Sequence, residues 1–354
     1  MSRFFSDKLA ALEPYTPGEQ PRDMEYIKLN TNESPYPPSP AAVKAIEGGE
    51  ASRLNLYSDP TARSLHEAIA DYYGISADRV IASNGSDEVL AFAFDAFASG
   101  KSLVFPDVTY GFYPVFANLF GIPYTTIPLD NTFTIRVEDY ASVESTVVIA
   151  NPNAQTGTYL PLSKIEELVA QNRDRVVIVD EAYIDFGGET AIPLTDRYDN
   201  LLVVQTFSKS RNLAGARVGF AVGCADLIAD LNRVKYSFNP YNVNRLSMAA
   251  AAEAMKDKAY FAECTQKVVE AREYTADALT KLGFTYPDSM ANFILAHSER
   301  IAGKDLYQKL KSKGVLVRHL SDERITDSVR ITIGTQAQME TLIQKIQEIL
   351  EDLT

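Results

Sequence analysis

The stretch QTFSKSRNLAGARVG, Gln205 to Gly219, sets one lysine, Lys209, just past an apolar run, with Ser208 and Ser210 on either side and Arg217 further along. Taken alone, such a lysine is an ordinary solvated charge. At the end of a buried strand it has another use, because loss of water lowers its pKa and frees a neutral amine for covalent or proton-transfer chemistry. Asp180 closes RVVIVD (175–180), and a carboxylate at a buried strand end needs a cationic or donor partner. Tyr183 follows it, suited to core packing or to a hydroxyl role. In SNGSDE (83–88) a glycine turn leads into a helix start, where the backbone N–H groups of Ser86 and Asp87 suit a phosphate, or where either side chain simply caps the helix. Tyr110, in DVTYGFY, is a core ring or a platform for a flat ligand. Arg217 follows the small residues LAGA, and Arg330 sits in DSVRITIG; each is either a surface charge or a two-pronged carboxylate or phosphate ligand.

These residues share a position. Strand candidates are RVIAS (79–83), SLVF (102–105), TVVIA (146–150), RVVIVD (175–180), LLVVQT (201–206) and VGFAV (218–222). They are continuous and β-branched, as strands buried on both faces must be. The polar clusters come just after them, and open α/β sheets bind ligands beyond the carboxyl ends of their strands. Between the strands, Leu65, Ala68, Ile69 and Tyr72 mark one helix face that stops at Gly74, and SKIE (163–166) reads as a capping box. Past residue 240 the pattern turns to long helices: 258–282, then the strands FILAH and VRITIG, then a last amphipathic helix capped by TQAQ (335–338). The expected fold is α/β, with a large domain of mostly parallel sheet flanked by helices over 41–240. An extended, proline-rich arm (1–40) precedes it, and a smaller α+β domain (241–354) follows.

Composition narrows the function. A hydrophobic fraction of 46% supplies a sizeable core, and a net charge of −13 repels phosphate backbones, so nucleic acid is not an expected partner. The cysteines, Cys224 and Cys264, and the scattered His66, His297 and His319 form no metal-ligand pattern, so no metal is expected. The opening MSRFFSDKLAALEPY has no long apolar run, and VLAFAFDAFASG is short and holds Asp95; a cytoplasmic enzyme without a membrane span is the expectation.

Taken in order, LNTNESPYPPSP, LYSDP, NGSDE, DVTYGFY, NPNAQTG, VDEAYIDF, TFSKSRNLAGARVGF and VRITIG resemble the fold type I, class II aminotransferases, and within them the histidinol-phosphate aminotransferases. The resemblance covers nearly the whole chain. It implies pyridoxal 5′-phosphate as cofactor, with Lys209 as the Schiff-base and proton-transferring lysine. It also implies Asp180 against the pyridine nitrogen, Tyr183 on the ring's O3′ and Tyr110 stacked on the ring. Ser86, Asp87, Ser208 and Arg217 then hold the cofactor phosphate, and Tyr57 reaches the phosphate in the neighbouring subunit of a homodimer with shared sites. Arg330, Arg318, Tyr15 and Asn292 face the substrates, a phosphorylated amino alcohol and 2-oxoglutarate or glutamate. Related activities with the same motifs are an aromatic (phenylalanine) aminotransferase and a threonine-phosphate decarboxylase. A transcription regulator's pyridoxal-phosphate domain fits poorly, because it carries a basic DNA-binding extension. One departure stands out: the family loop Asn-Pro-Asn-Asn-Pro-Thr-Gly reads here Asn151-Pro152-Asn153-Ala154-Gln155-Thr156-Gly157. The asparagine that touches O3′ is replaced by Ala154; either Asn153 stands in for it, which is the expectation, or Tyr183 acts on O3′ alone.

Overall fold

The computed structural model describes residues 2–141 and 143–353. The chain enters through β1 (Ile27–Lys28) and α1 (Pro40–Ala45). It then alternates through α2 (Arg63–Tyr73), β2 (Val80–Ser83), α3 (Ser86–Ala98), β3 (Leu103–Pro106), α4 (Phe112–Phe120), β4 (Tyr124–Ile127), β5 (Thr146–Ala150), α5 (Leu162–Gln171), β6 (Val177–Asp180), β7 (Leu201–Thr206) and β8 (Gly219–Val222). Helices α6 (Ala225–Phe238), α7 (Arg245–Lys256) and α8 (Lys258–Lys281) follow. The chain closes with β9 (Phe293–His297), α9 (Gly303–Ser312), β10 (Val315–Leu316), β11 (Arg318–His319), β12 (Ser328–Thr332) and α10 (Gln336–Glu351).

Seven strands form one sheet in the order β2-β8-β7-β6-β5-β3-β4. β8 is antiparallel to both β2 and β7, while β7, β6, β5, β3 and β4 pair in parallel. The central strands are buried along their whole length, as their unbroken Val/Ile/Leu runs require when helices cover both faces. β4, with the sequence YTTI, is mostly exposed at the sheet edge; two threonines and no apolar run explain why no strand is expected there. The order matters for chemistry. Reversal of β8 brings its first residue, Gly219, level with Ser83 and Thr206, the last residues of β2 and β7. Arg217 therefore arrives at the same sheet edge as Lys209.

The second body is the antiparallel sheet β11-β12-β9 with α8, α9 and α10 around a core that includes Phe293, Ile331, Leu342 and Ile346. The arm docks on it: β1 pairs in parallel with β10, and Leu29 is buried in this second core. The expected change of body at residue 240 moves further along the chain. α7 sets Met248, Ala251 and Met255 into the first core beside Leu65 and Ile69 of α2, because its apolar face matches that of α2.

Two of the three helix ends expected from local chemistry form. Gly74 closes α2 in the left-handed conformation, and Thr335 and Gln338 form both bonds of a capping box on α10. The capping box expected at SKIE does not form. Pro161 sets the extended entry, α5 starts at Leu162, and Ser163 already lies inside the first turn. No helix among the described residues is long and apolar enough to cross a membrane.

Candidate active site

A cavity of about 150 Å³ lies where the strand ends of the large sheet meet the arm and the second body. The sheet side contributes Ser86, Asp87, Asp180, Tyr183, Ser208, Lys209 and Arg217. Tyr110 joins them from the segment after β3, Tyr15, Thr31 and Asn32 from the arm, and Arg318 and Arg330 from the second body.

Lys209 sits in the turn after β7. Phe207 is fully buried and packs edge-on against Phe220, so the chain bends with its phenylalanine anchored and the lysine turned to the cavity. The Lys209 amine donates to the Thr31 carbonyl at 3.3 Å and lies 5.7 Å from the centre of the Tyr183 ring. Burial brings its pKa down from 10.5 to about 8, with the Arg330 charge pushing the same way and Glu33 and Asp87 opposing. About a tenth of the amine is then neutral at pH 7, far more than for an ordinary lysine.

Asp180, the last residue of β6, is 4% exposed. Its Oδ2 accepts from the Tyr113 hydroxyl at 2.9 Å and its Oδ1 from the Ala182 N–H at 3.3 Å. Burial first, then the negative charge of Asp87, raise its pKa from 3.8 to about 7 against the lowering effect of these bonds and of Lys209. A carboxylate in this state either keeps a proton or pairs with an N–H cation. Sequence reasoning missed Tyr113, although it lies one helical turn past Tyr110 on the start of α4.

The far end of the cavity suits an anion. Gly85 caps α3 with φ +77°, which presents the N–H groups of Ser86 and Asp87 at the amino end of a 13-residue helix. Arg217, itself left-handed at φ 52°, donates to Ser208 Oγ at 3.4 Å and to Asp87 Oδ2 at 3.2 Å, while Asp87 Oδ1 accepts from Tyr110. Gly219 has to be glycine: a Cβ there would collide with the backbone of Gly85 and Ser86. Gly219→Ala is expected to destabilise the fold by roughly 1–3 kcal/mol through overpacking and to weaken anion retention at this end. Thermal melting and phosphate titration measure the two effects, and an unchanged pair of values contradicts the close approach.

The substrate side is built on β11 and β12. Arg318 and Arg330 are cross-strand partners. Arg318 donates to the carbonyls of Pro17 and Thr16, clamping the arm over the cavity. Arg330 gives Nη1 to the Ala154 carbonyl at 2.9 Å and to Gln155 Oε1 at 2.7 Å, and its buried Nε has no partner. Tyr15 stacks on Phe112 at 4.3 Å. Asn292 is not among the lining residues; it is 1% exposed and donates to the Asn32 carbonyl at 3.0 Å, so it braces the arm.

Two more expected residues, besides Asn292, lie elsewhere. Asn153 does not line the cavity: its Nδ2 donates to the Val108 carbonyl, and its Oδ1 accepts from the backbone N–H groups of Gln155 and Thr156. The physical reason is the departure itself, because Gln155 has the N–H that a proline lacks, and Asn153 closes a turn on it. Tyr57 is 79% exposed and stacks on Tyr241 at 4.4 Å, outside this chain's cavity.

The chain as a whole matches known proteins. Residues 24–346 match the model of the family Aminotransferase class I and II, and the chain belongs to that family. It is 50% identical to the histidinol-phosphate aminotransferase of Brachyspira hyodysenteriae over 99% of this chain and 100% of that protein, and 50% identical to that of Pseudomonas putida over 98% and 100%. Its fold is that of the histidinol-phosphate aminotransferase of Sinorhizobium meliloti crystallised with pyridoxal 5′-phosphate, with a TM-score of 0.85, 22% identity, and coverage of 93% of this chain and 92% of that one. The Clostridium acetobutylicum enzyme of that name matches with a TM-score of 0.84, 24% identity and coverage of 92% and 99%.

The family's cofactor is pyridoxal 5′-phosphate, and the residues present fit it. Asp180 would pair with the ring nitrogen, Lys209 would carry the aldehyde carbon, and the α3 amino end with Ser208 and Arg217 would hold the phosphate. When bound, the cofactor supplies an electron sink for the charge left on carbon as a proton is removed. The Lys209 amine sets the pH dependence of loading. Cofactor uptake by the cofactor-free protein is expected to quicken about tenfold per pH unit below 8 and to level off above it. Stopped-flow absorbance checks this, and a midpoint near the ordinary lysine value of 10.5 contradicts the burial argument.

Proposed function

We propose that this chain transfers the amino group between L-histidinol phosphate and 2-oxoglutarate, as a cytoplasmic homodimer serving histidine biosynthesis. The observation that carries the reading is Arg330: a half-buried guanidinium whose Nε is buried and unmatched, lining the cavity with the Lys209 amine and paired across the strand with Arg318. One substrate ends in a phosphate ester and the other in a carboxylate. Each offers a pair of oxygens that a guanidinium can bind in a two-pronged way, so a single anion site serves both halves of the exchange. The relatives at about 50% identity that carry this name over their full length support the same substrate.

The chain's own groups supply the rest. Lys209 Nζ, held by the Thr31 carbonyl, takes the proton from the amine-bearing carbon of one substrate and returns it in the other half of the exchange. Arg318 and Tyr15 close the arm over the cavity and limit water. Tyr57, Tyr241, Leu54, Leu56 and Phe238 are exposed apolar groups, as expected of a surface that a second copy covers, and Tyr57 then reaches the partner's phosphate site. Sedimentation should give a dimer, and Tyr57→Phe should weaken cofactor retention; a monomer with full activity contradicts this part. For the substrate site, Arg330→Gln is expected to lower kcat/KM roughly a hundredfold with both histidinol phosphate and 2-oxoglutarate. Glutamate formation measured with each substrate varied in turn tests it, and a loss confined to one of the two substrates sinks the shared anion site.

A further inference from the structure

The asparagine that the family resemblance places on the ring's O3′, the target it also gives the Tyr183 hydroxyl, is Ala154 here, and Asn153 is committed to its own loop. Another asparagine, from a distant segment, reaches the same hydroxyl. Asn32 Nδ2 donates to Tyr183 Oη at 3.0 Å. Asn32 is 1% exposed, lies in the arm, and belongs to the lining of the cavity.

Its placement is heavily constrained. The backbone is left-handed at φ 55°, a conformation asparagine tolerates better than most residues. Asn32 Oδ1 accepts from Thr332 Oγ1 at 3.0 Å, and the Asn32 N–H donates to that same hydroxyl at 2.9 Å. The Asn32 carbonyl accepts from Asn292 Nδ2 at 3.0 Å. Arm, second body and large sheet therefore meet at one side-chain amide, whose oxygen is held by Thr332 and whose Nδ2 donates to Tyr183.

A hydroxyl that accepts an N–H bond has its own proton free to donate elsewhere. We propose that Asn32 is a positioning residue that takes over from the missing loop asparagine, holding the Tyr183 hydroxyl so that its proton is presented to the cofactor's ring oxygen. This rests on the reading of the cavity as the pyridoxal-phosphate site. It also ties arm docking to the cofactor's electronics: the threonine that orients Asn32 is the last residue of β12, which also carries Arg330.

The test uses the loaded enzyme. A donor on the ring oxygen stabilises negative charge there and disfavours protonation of the attached nitrogen. Loosening it should move the pH midpoint of the visible absorbance change upward and lower kcat about five- to tenfold, with little change in KM. Asn32→Gly keeps the left-handed backbone, so it tests the amide rather than the turn. Thr332→Val, which removes only the orienting hydroxyl, should move the midpoint the same way by less. Ala154→Asn added to Asn32→Gly should restore much of the shift, and Asn32→Gly should have no further effect in a Tyr183→Phe background. If Tyr183→Phe shifts the midpoint and Asn32→Gly does not, the role given to Asn32 is wrong. If Tyr183→Phe itself leaves the midpoint unmoved, the underlying reading of the cavity fails instead.

Discussion

Replacing Lys209 by alanine should leave turnover at least about 10⁴-fold below that of the unchanged chain, since both the general base and the covalent hold on the cofactor are removed. The size follows from the surroundings. The amine is buried, its pKa is already drawn down to about 8, and the described residues place no second lysine in the cavity lining. Lys209→Arg should fare no better, because a guanidinium keeps its proton at every accessible pH. Small primary amines added to Lys209→Ala should restore a few per cent of the rate, rising with pH as the free base forms. Product formation is the readout. Near-normal turnover in Lys209→Ala contradicts the role outright, and rescue that falls with pH contradicts the requirement for a neutral amine.

Asp180→Asn should cost about 10²–10³ in kcat while leaving the fold intact, because the amide fits the same space but brings no charge opposite the ring nitrogen. Its effect on stability has the opposite sign. Burial raises the Asp180 pKa from 3.8 to about 7, so the folded protein without cofactor holds a proton that the unfolded chain has released between those values. The resulting stabilisation is complete below pH 3.8 and lost as pH rises through about 7. Cofactor-free Asp180→Asn should consequently melt above wild type at pH 8, with the gap closing toward pH 4. Adding pyridoxal phosphate should reverse the order at pH 8, because only the carboxylate gains a cationic partner. Melting curves at the two pH values, with and without cofactor, check all four cases; a variant less stable than wild type without cofactor at pH 8 goes against the burial argument.

Much of this was legible in the residues. The unbroken apolar runs that became β5, β6 and β7 announce strands covered on both faces, and the polar residues just past them mark the binding edge. Gly74 and TQAQ mark helix ends through local chemistry that needs no tertiary partner. Two of the failures have the opposite property. The Asn32 amide touches a tyrosine and a threonine that come from two other parts of the chain, and no local spacing links them. Tyr113 faces Asp180 only because β3 and β6 flank β5 in the sheet. The edge strand β4 carries no apolar signal, since one side of it meets water. Asn153 was misplaced because the N–H that Gln155 offers in place of a proline turns that side chain back on its own loop.

The central claim is amino-group transfer from L-histidinol phosphate, and the most direct measurement is the single half-reaction followed by the cofactor's absorbance. Enzyme loaded with pyridoxal phosphate is mixed with L-histidinol phosphate, L-phenylalanine or L-threonine phosphate, and the rate and products are recorded for each. The expected result is conversion to the amino form of the cofactor by histidinol phosphate, faster than by phenylalanine by about a hundredfold or more, which is what one well-made charged contact is worth. No carbon dioxide should appear with threonine phosphate. Faster conversion by phenylalanine, release of carbon dioxide from threonine phosphate, or no spectral change with histidinol phosphate contradicts the claim.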